Sequence, residues 1–224
     1  MQKKSLRVAL PKGRLYDDVI EACLSTDLLE DPEQISRLSR QLVQKISDSG
    51  HLFLLAKPTD VPAYVEHGAA DIGFTGKDVI EEEGKNLYEV LDLKVGKCDL
   101  VVAVPEEMGV SDVKDLPDNI RVATSYPRIS QSFFQEQGKK AEIIELNGSV
   151  ELAPQVDLAD IIVDITSTGT TLRQNNLKPV REIISSSVRM VANRVSYRTR
   201  SDIIKKICSQ MSNEGVAVEE PPAC

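Results

Sequence analysis

Short apolar runs alternate along the chain with stretches of helical spacing, and this alternation constrains the fold more than any other feature. The runs Leu6–Leu10, Leu52–Ala56 and Ile161–Ile165 are typical of buried strands. Between them, Leu15–Leu29 has apolar residues every three or four positions, which indicates a helix. The alternation predicts α/β architecture. Further predicted strands are Asp71–Phe74, Leu87–Leu93, Asp99–Val104, Ile120–Thr124, Ala141–Leu146, Val180–Ser185 and Val188–Ala192, and further predicted helices are Val61–Gly68, Lys77–Glu83, Ser130–Gln137 and Asp202–Met211.

The order of these elements predicts two lobes. Residues 93–177 form the second lobe, and residues 1–92 together with 178–214 form the first. A cleft between two α/β lobes is a natural ligand site, so we expect the active site there. Residues 215–224 carry two acids and two prolines and are expected to be disordered.

The charge balance limits the partners that this chain can have. The 224 residues include 27 Lys and Arg and 35 Asp and Glu, which gives a net charge of −8. Such a chain repels a phosphate backbone, so general nucleic-acid binding is not expected. The sequence has no Trp and only 4% aromatic residues, which argues against a base-stacking surface. An anionic substrate would need a local site of cations or backbone amides.

The cysteines and the N-terminus predict a cytoplasmic protein. Cys23, Cys98, Cys208 and Cys224 form no CxxC pair, and scattered thiols fit a reducing compartment. Cations interrupt the N-terminal apolar run, so no signal peptide is expected. Because no run of about eighteen apolar residues exists, we expect no membrane-spanning helix.

The segment after Ile161–Ile165 holds the strongest candidate site. Asp164 lies near the carboxyl end of this strand, where α/β sheets hold ligands and where a carboxylate can bind ribose hydroxyls or magnesium. Hydroxyls and amides that could cradle a phosphate follow at Ser167, Thr168, Gly169, Thr170 and Thr171. The segment therefore predicts a site for a phosphorylated sugar. The alternative is a Ser/Thr helix cap in an ordinary loop.

A second candidate site lies close to the N-terminus. Lys12, Gly13 and Arg14 follow the first predicted strand directly. Two cations around a glycine at a strand end suit a pyrophosphate or a triphosphate. The alternative is a turn whose cations face solvent.

Four motifs in order carry a resemblance to a known family. They are Leu10–Leu15, Ala56–Gly73, Arg121–Pro127 and Asn147–Leu172. Together they resemble ATP phosphoribosyltransferase, the first enzyme of histidine biosynthesis, over nearly the whole chain. Asp164–Leu172 resembles the phosphoribosyl-pyrophosphate signature of that family.

This resemblance implies a fold, a reaction and partners. The implied fold is two-lobed and like that of periplasmic binding proteins. The implied reaction transfers the 5-phosphoribosyl group of phosphoribosyl pyrophosphate to N1 of ATP and releases pyrophosphate. The implied cofactor is Mg2+, held mainly by the substrate phosphates. The chain resembles the short form of the family, which implies a homodimer of this chain and a regulatory subunit like histidyl-tRNA synthetase in a hetero-octamer.

The resemblance also implies roles for single residues. The Ser167–Thr171 loop would hold the 5-phosphate, and Asp164 would hold the ribose hydroxyls. Glu151 would assist magnesium or the ribose; the alternative is a simple acid at a helix start. The groups expected to face ATP or pyrophosphate are Lys12, Gly13, Arg14, Lys57 and Asp60.

Three positions depart from the family pattern. Asp157 stands where the signature often has Gly, Lys57 stands where Arg is common, and Asp99 stands where a basic residue is common. The last two weaken the positive lining of the site, because Lys cannot reproduce a bidentate guanidinium contact.

The implied chemistry needs no strong base. Adenine N1 attacks through a lone pair, and cations can stabilise the leaving pyrophosphate, so catalysis would rest on positioning and electrostatics. Only His51 and His67 could be obvious bases, and nothing in the sequence partners them.

Two other functions stay open at the level of sequence. A two-lobed protein that binds a small anion would have similar lobes, because fold does not decide function. Another phosphoribosyltransferase would also have an acid at a strand end before Thr and Gly. Those enzymes usually carry two adjacent acids there, whereas Val163 precedes Asp164 here.

Overall fold

The computed structural model describes residues 5–24, 26–35, 41–46 and 49–212, so the predicted tail at 215–224 lies outside the described residues. Its strands are β1 Arg7–Pro11, β2 Val43–Lys45, β3 Leu52–Ala56, β4 Ile72–Gly76, β5 Tyr88–Asp92, β6 Cys98–Pro105, β7 Ile120–Thr124, β8 Ala141–Glu145, β9 Ile161–Thr166, β10 Leu177–Ser186 and β11 Val188–Ala192. Its α-helices are α1 Tyr16–Leu24, α2 Val61–Glu66, α3 Lys77–Glu83, α4 Pro127–Glu136, α5 Thr170–Gln174, α6 Arg194–Thr199 and α7 Ser201–Met211.

The chain divides into two compact units. The first contains Met1–Gly96 and Ser187–Cys224, and the second contains Lys97–Ser186. The sheet of the first unit has the strand order β2-β3-β1-β4-β11-β5, and that of the second has β10-β6-β9-β7-β8. The α/β class expected from the alternation is confirmed.

The two sheets share a five-strand arrangement. In the first unit β1 pairs in parallel with β3 and β4, and β11 runs antiparallel between β4 and β5. In the second, β7 pairs in parallel with β8 and β9, and β6 runs antiparallel between β9 and β10. In each unit the carboxyl ends of three parallel strands therefore meet at one edge, where ligand loops are usually found.

An ion pair between the buried Asp71 and the partly exposed Arg7 fixes the opposite edge of the first sheet. Asp71, just before β4, is 1% exposed at its side chain and accepts hydrogen bonds from the Arg7 amide at 2.8 Å and the Ser196 hydroxyl at 2.7 Å. Burial raises its pKa, but these bonds and the Arg7 guanidinium outweigh that and leave the pKa below its usual value. The carboxylate thus stays ionised and joins the starts of β1 and β4.

The second unit has an equivalent Arg–Asp pair, in which the carboxylate is more exposed. Asp160, just before β9, accepts hydrogen bonds from the Arg121 amide at 2.8 Å and its guanidinium at 2.6 Å. Its side chain is 32% exposed. The guanidinium of Arg121 holds the pKa of this carboxyl below its usual value.

Several boundaries differ from those expected. β10 begins at Leu177 and pairs with β6, so the chain returns to the first unit at Ser187, not at residue 178, and it leaves that unit at Lys97, not at residue 93. The predicted helix Leu15–Leu29 ends at Leu24. The sequence reading missed β2 and α6, which are three and six residues long.

Across the described ranges, no helix combines the length and apolar character that crossing a membrane requires.

We predict that the two Arg–Asp pairs differ in their contribution to stability. Asp71→Ala would leave the Arg7 amide and the buried Ser196 hydroxyl without their acceptor, and we expect it to lower the free energy of unfolding by about 3 kcal/mol. Asp160→Ala removes a partly solvated partner and should cost about 1 kcal/mol. Urea unfolding of both variants measures the difference, and equal losses would contradict the account.

Candidate functional site

The central strand β9 brings Asp164 to the carboxyl edge of the second sheet. Ile161, Ile162 and Val163 have no exposed surface, and β9 is bonded on one side to β7 and on the other to β6. Asp164 follows this buried run and is half-buried. A carboxylate is thereby held at the point where the core ends.

Burial, together with the nearby charge of Glu151, raises the pKa of Asp164 to about 6. One hydrogen bond opposes this effect, from the Ile165 amide to a carboxylate oxygen at 2.8 Å. The shift shows that Asp164 lacks the cationic or hydroxyl partners that would stabilise its charge. A ligand that supplied hydroxyls or a cation would satisfy it.

The loop after β9 is shaped by its own hydroxyls. The Gly169 amide donates to the Thr166 hydroxyl at 3.0 Å, and the Thr168 and Thr170 hydroxyls lie 3.0 Å apart. Gly169 has φ +70°, a left-handed conformation that favours glycine. Gly169, the residue before the helix that starts at Thr170, has no side chain to cap it, and the Thr170 amide donates to the Thr168 hydroxyl at 3.5 Å.

Arg173 braces this loop from the next helical turn. Its guanidinium donates to the Thr168 carbonyl at 3.0 Å and to the Thr170 hydroxyl at 3.3 Å. The sequence analysis missed this residue. The spacing of three residues between Thr170 and Arg173 on one helix would have found it.

An amide bridge joins the loop to the segment that carries Glu151. Gln155 donates to the side-chain oxygen of Asn175 at 2.8 Å and to the Glu151 carbonyl at 3.4 Å. Asn175 in turn donates to the Thr171 carbonyl at 2.9 Å. The structure therefore ties Glu151 and the predicted phosphate loop together within the second unit.

The first unit brings its own predicted residues together at the equivalent edge. The Lys12 amide donates to the Ala56 carbonyl at 2.8 Å, so the loop after β1 lies beside the end of β3 and Lys57. The Thr75 hydroxyl donates to the Pro58 carbonyl at 2.9 Å, so the end of β4 also lies beside the segment that follows β3. The side chains that this edge exposes include Lys12, Arg14, Lys57 and Asp60, with Gly13 between the first two at φ +81°.

Neither histidine has the surroundings of a catalytic base. His51 is 4% exposed and its Nδ1 accepts a hydrogen bond from the Leu6 amide at 2.9 Å, which fixes it in the core. His67 lies at the end of α2, with its Nδ1 3.0 Å from the Ala63 carbonyl. The His67 ring is largely exposed and also lies 3.9 Å from a Glu66 carboxylate oxygen.

Two departures from the family pattern have structural explanations. Asp157 has φ 58° and ψ 21°, a left-handed conformation that glycine adopts readily and Asp tolerates. Asp99 accepts a hydrogen bond from the Ser185 hydroxyl at 2.8 Å and pairs with Thr166 across the sheet. Lys57, the third departure, is exposed.

Solved structures place the fold in a known class. The periplasmic aliphatic sulphonate binding protein SsuA from Escherichia coli matches with a TM-score of 0.60 at 15% identity, covering 93% of this chain and 71% of that one. The class is thus the two-lobed α/β fold of periplasmic binding proteins, as expected.

Closer comparisons identify the family. The ATP phosphoribosyltransferase profile matches residues 57–213. ATP phosphoribosyltransferase from Halothermothrix orenii is 57% identical over 208 residues, 91% of this chain and 93% of that one. The ATP phosphoribosyl transferase (HisG:HisZ) complex from Thermotoga maritima matches with a TM-score of 0.77 at 34% identity, covering 92% of this chain and 96% of that one. The chain belongs to the ATP phosphoribosyltransferase family.

The raised pKa of Asp164 predicts a stabilising mutation at the site. Between pH 3.8 and about 6 the folded chain holds a proton that the unfolded chain has lost, so folding stability falls as pH rises through this window. Asp164→Asn carries no charge and keeps an oxygen for the Ile165 amide. We expect it to exceed the wild type in stability above pH 6, by at most about 3 kcal/mol, and to match it below pH 4.

Urea unfolding at pH 4 and pH 8 measures this difference. A variant that is less stable than the wild type at pH 8 would show that Asp164 serves the fold.

Proposed function

We propose that this chain transfers the 5-phosphoribosyl group of phosphoribosyl pyrophosphate to N1 of ATP and releases pyrophosphate, the first step of histidine biosynthesis. One observation carries the detailed proposal: Asp164, desolvated and short of partners, borders a loop of hydroxyls and amides at the end of a buried strand. Membership of the ATP phosphoribosyltransferase family supports the reaction.

The second unit binds phosphoribosyl pyrophosphate in this proposal. The 5-phosphate accepts hydrogen bonds from amides and hydroxyls of the loop, whose members are Ser167, Thr168, Gly169, Thr170 and Thr171. Asp164 accepts hydrogen bonds from the ribose hydroxyls, which replace the water that its burial removes. Glu151 lies close enough to raise the pKa of Asp164 and so borders the same ribose.

The first unit binds the nucleotide and the leaving group. Lys12 and Arg14 attract the triphosphate or the pyrophosphate, and Gly13 between them lets a phosphate approach the backbone. Lys57 and Asp60, at the end of β3, contact the nucleotide. Within the described residues, neither Lys12 nor Arg14 forms an ion pair with an acidic side chain, which supports a role in ligand binding.

The residues fit a magnesium ion that is held mainly by substrate. Within the described ranges no group of three or more His, Cys, Asp or Glu side chains could hold a metal ion. Asp164 and Glu151 supply two neighbouring carboxylates, and Mg2+ is usually held by one or two carboxylates together with substrate phosphates. When bound, the metal would neutralise charge on the leaving pyrophosphate.

The side chains then act by position and charge. Adenine N1 attacks C1 of the ribosyl group through its lone pair as the bond to pyrophosphate breaks, and no proton must be removed first. The ionised Asp164 fixes the ribose and lies near the positive charge that develops on it. Lys12 and Arg14 stabilise the leaving group.

We also propose a regulatory subunit like histidyl-tRNA synthetase and a cytoplasmic location. The match to a HisG:HisZ complex supports the partner. The three described cysteines, Cys23, Cys98 and Cys208, form no disulfide with one another, which fits a reducing compartment.

Pyrophosphate release tests the reaction. The chain with its regulatory subunit should release pyrophosphate from phosphoribosyl pyrophosphate in the presence of ATP and Mg2+, and should not do so with free purine or pyrimidine bases. Asp164→Asn should lower turnover at least about a hundredfold, about 2.7 kcal/mol of transition-state stabilisation. Release with a free base would favour another phosphoribosyltransferase, and binding without release would favour a small-anion binding protein.

A second prediction concerns the loop alone. Gly169→Val places a branched side chain in a left-handed conformation, with its Cβ 2.9 Å from a guanidinium nitrogen of Arg173. We expect calorimetry to show at least about tenfold weaker binding of phosphoribosyl pyrophosphate, about 1.4 kcal/mol.

Gly138→Val is the matched control. Gly138 has φ +68° in the same unit, and nothing lies within 4 Å of the position its Cβ would take. It should carry a similar backbone strain and keep wild-type affinity. Equal affinity in both variants would remove the loop from the phosphate site.

A further inference from the structure

The second unit has a cavity at the sheet edge opposite the Asp164 loop. Its volume is about 550 Å³, and it lies where β6 ends at Pro105 and β10 begins at Leu177. A neighbouring depression of about 250 Å³ shares Pro105, Glu107 and Pro154 with it. The two form one continuous surface, which we call the amino-edge groove.

The groove is acidic. Glu106 and Glu107 line it with exposed side chains, and neither carboxylate has an ion-pair partner within the part of the chain that the structure describes. Asp157 adds a third exposed carboxylate from the depression. The guanidinium of Arg121, which also lines the depression, donates hydrogen bonds to the Asp160 carboxylate and to the Asp157 carbonyl.

Apolar side chains are exposed in a segment that also supplies lining residues to this groove. Leu152, Val156 and Leu158 are 50%, 67% and 42% exposed, three of the seven large apolar side chains described as exposed. They lie in the short segment that also supplies Pro154 and Gln155 to the lining. Exposed apolar groups rimmed by polar residues mark a protein-binding surface.

We propose that the amino-edge groove docks a positively charged segment of the regulatory subunit, a proposal that rests on the partner given under Proposed function. Charge decides the occupant. A two-fold contact between copies of this chain would bring the same acidic surface against itself, and like charges there disfavour it. A segment with Lys or Arg beside apolar side chains would match the glutamates and the exposed apolar side chains.

The groove is connected to the candidate site by hydrogen bonds. Gln155 and Asn175 line the cavity and also form the amide bridge between the Glu151 carbonyl and the Thr171 carbonyl. A docked segment that contacts these amides changes the support of the phosphate loop. The partner therefore acts on phosphoribosyl-pyrophosphate binding through Gln155 and Asn175, which are positioning residues.

Charge reversal tests the docking. The double variant Glu106→Lys/Glu107→Lys should bind the purified regulatory subunit at least about tenfold more weakly than the wild type in sedimentation or interferometry. Glu136→Lys, an exposed charge change on α4 of the same unit, is the control and should bind normally. Wild-type binding should weaken as NaCl rises. All variants should keep the basal turnover of the isolated chain.

Two results would overturn the docking proposal. The first is wild-type affinity of the Glu106→Lys/Glu107→Lys variant for the regulatory subunit. The second is loss of self-association by this variant while it still binds the regulatory subunit, which would make the groove a contact between copies of this chain. The proposed reaction is judged separately, by pyrophosphate release from the wild-type complex. A complex that forms but releases none would refute the reaction and leave the docking surface in place.

A second variant tests the connection to the loop. Gln155→Ala removes the two hydrogen bonds that Gln155 donates in the bridge but changes no charge. It should bind the regulatory subunit within about threefold of the wild type, and its KM for phosphoribosyl pyrophosphate should no longer change when the subunit is added. A KM response equal to that of the wild type would overturn the connection.

Discussion

The parallel pairing of β9 with β7 is the constraint on which the second unit depends. It buries Ile161–Val163 completely and thereby carries the next residue, Asp164, to the point where the core meets solvent. The low polarity of the core raises the pKa of this carboxyl to about 6, and the loop that follows must turn at once into α5. The strand, the carboxylate and the hydroxyl loop are consequences of one packing arrangement.

The same arrangement occurs in the first unit with different chemistry. There β1, β3 and β4 end together, and the loops after them carry the cations Lys12, Arg14 and Lys57 beside Asp60. A fold shared with binding proteins thus supplies two strand-end edges, and the residues placed on them decide the function. Ribose and phosphate suit the second edge, and a triphosphate suits the first.

Much of this could be predicted from sequence, because it is local. Lys77–Glu83, Ile120–Thr124 and Val188–Ala192 have the bounds that apolar spacing and turn residues gave them. The extent of the lobes could not be predicted, because the placement of β10 depends on its pairing with β6, some 80 residues away. The amide bridge of Gln155 and Asn175 joins residues 20 apart in sequence, and nothing in either segment marks it. The site residues stay a prediction, although the structure brings them together within each unit.

A pH titration of the Asp164 carboxyl by carbon NMR tests the central claim most directly, with the signal assigned by its loss in Asp164→Asn. In the free chain the carboxyl should titrate with a pKa near 6. Saturating phosphoribosyl pyrophosphate with Mg2+ should lower that pKa by at least about one unit, because hydroxyls and a cation then stabilise the charge. A carboxyl that titrates near its ordinary value of about 3.9 and does not respond to the substrate would contradict the account.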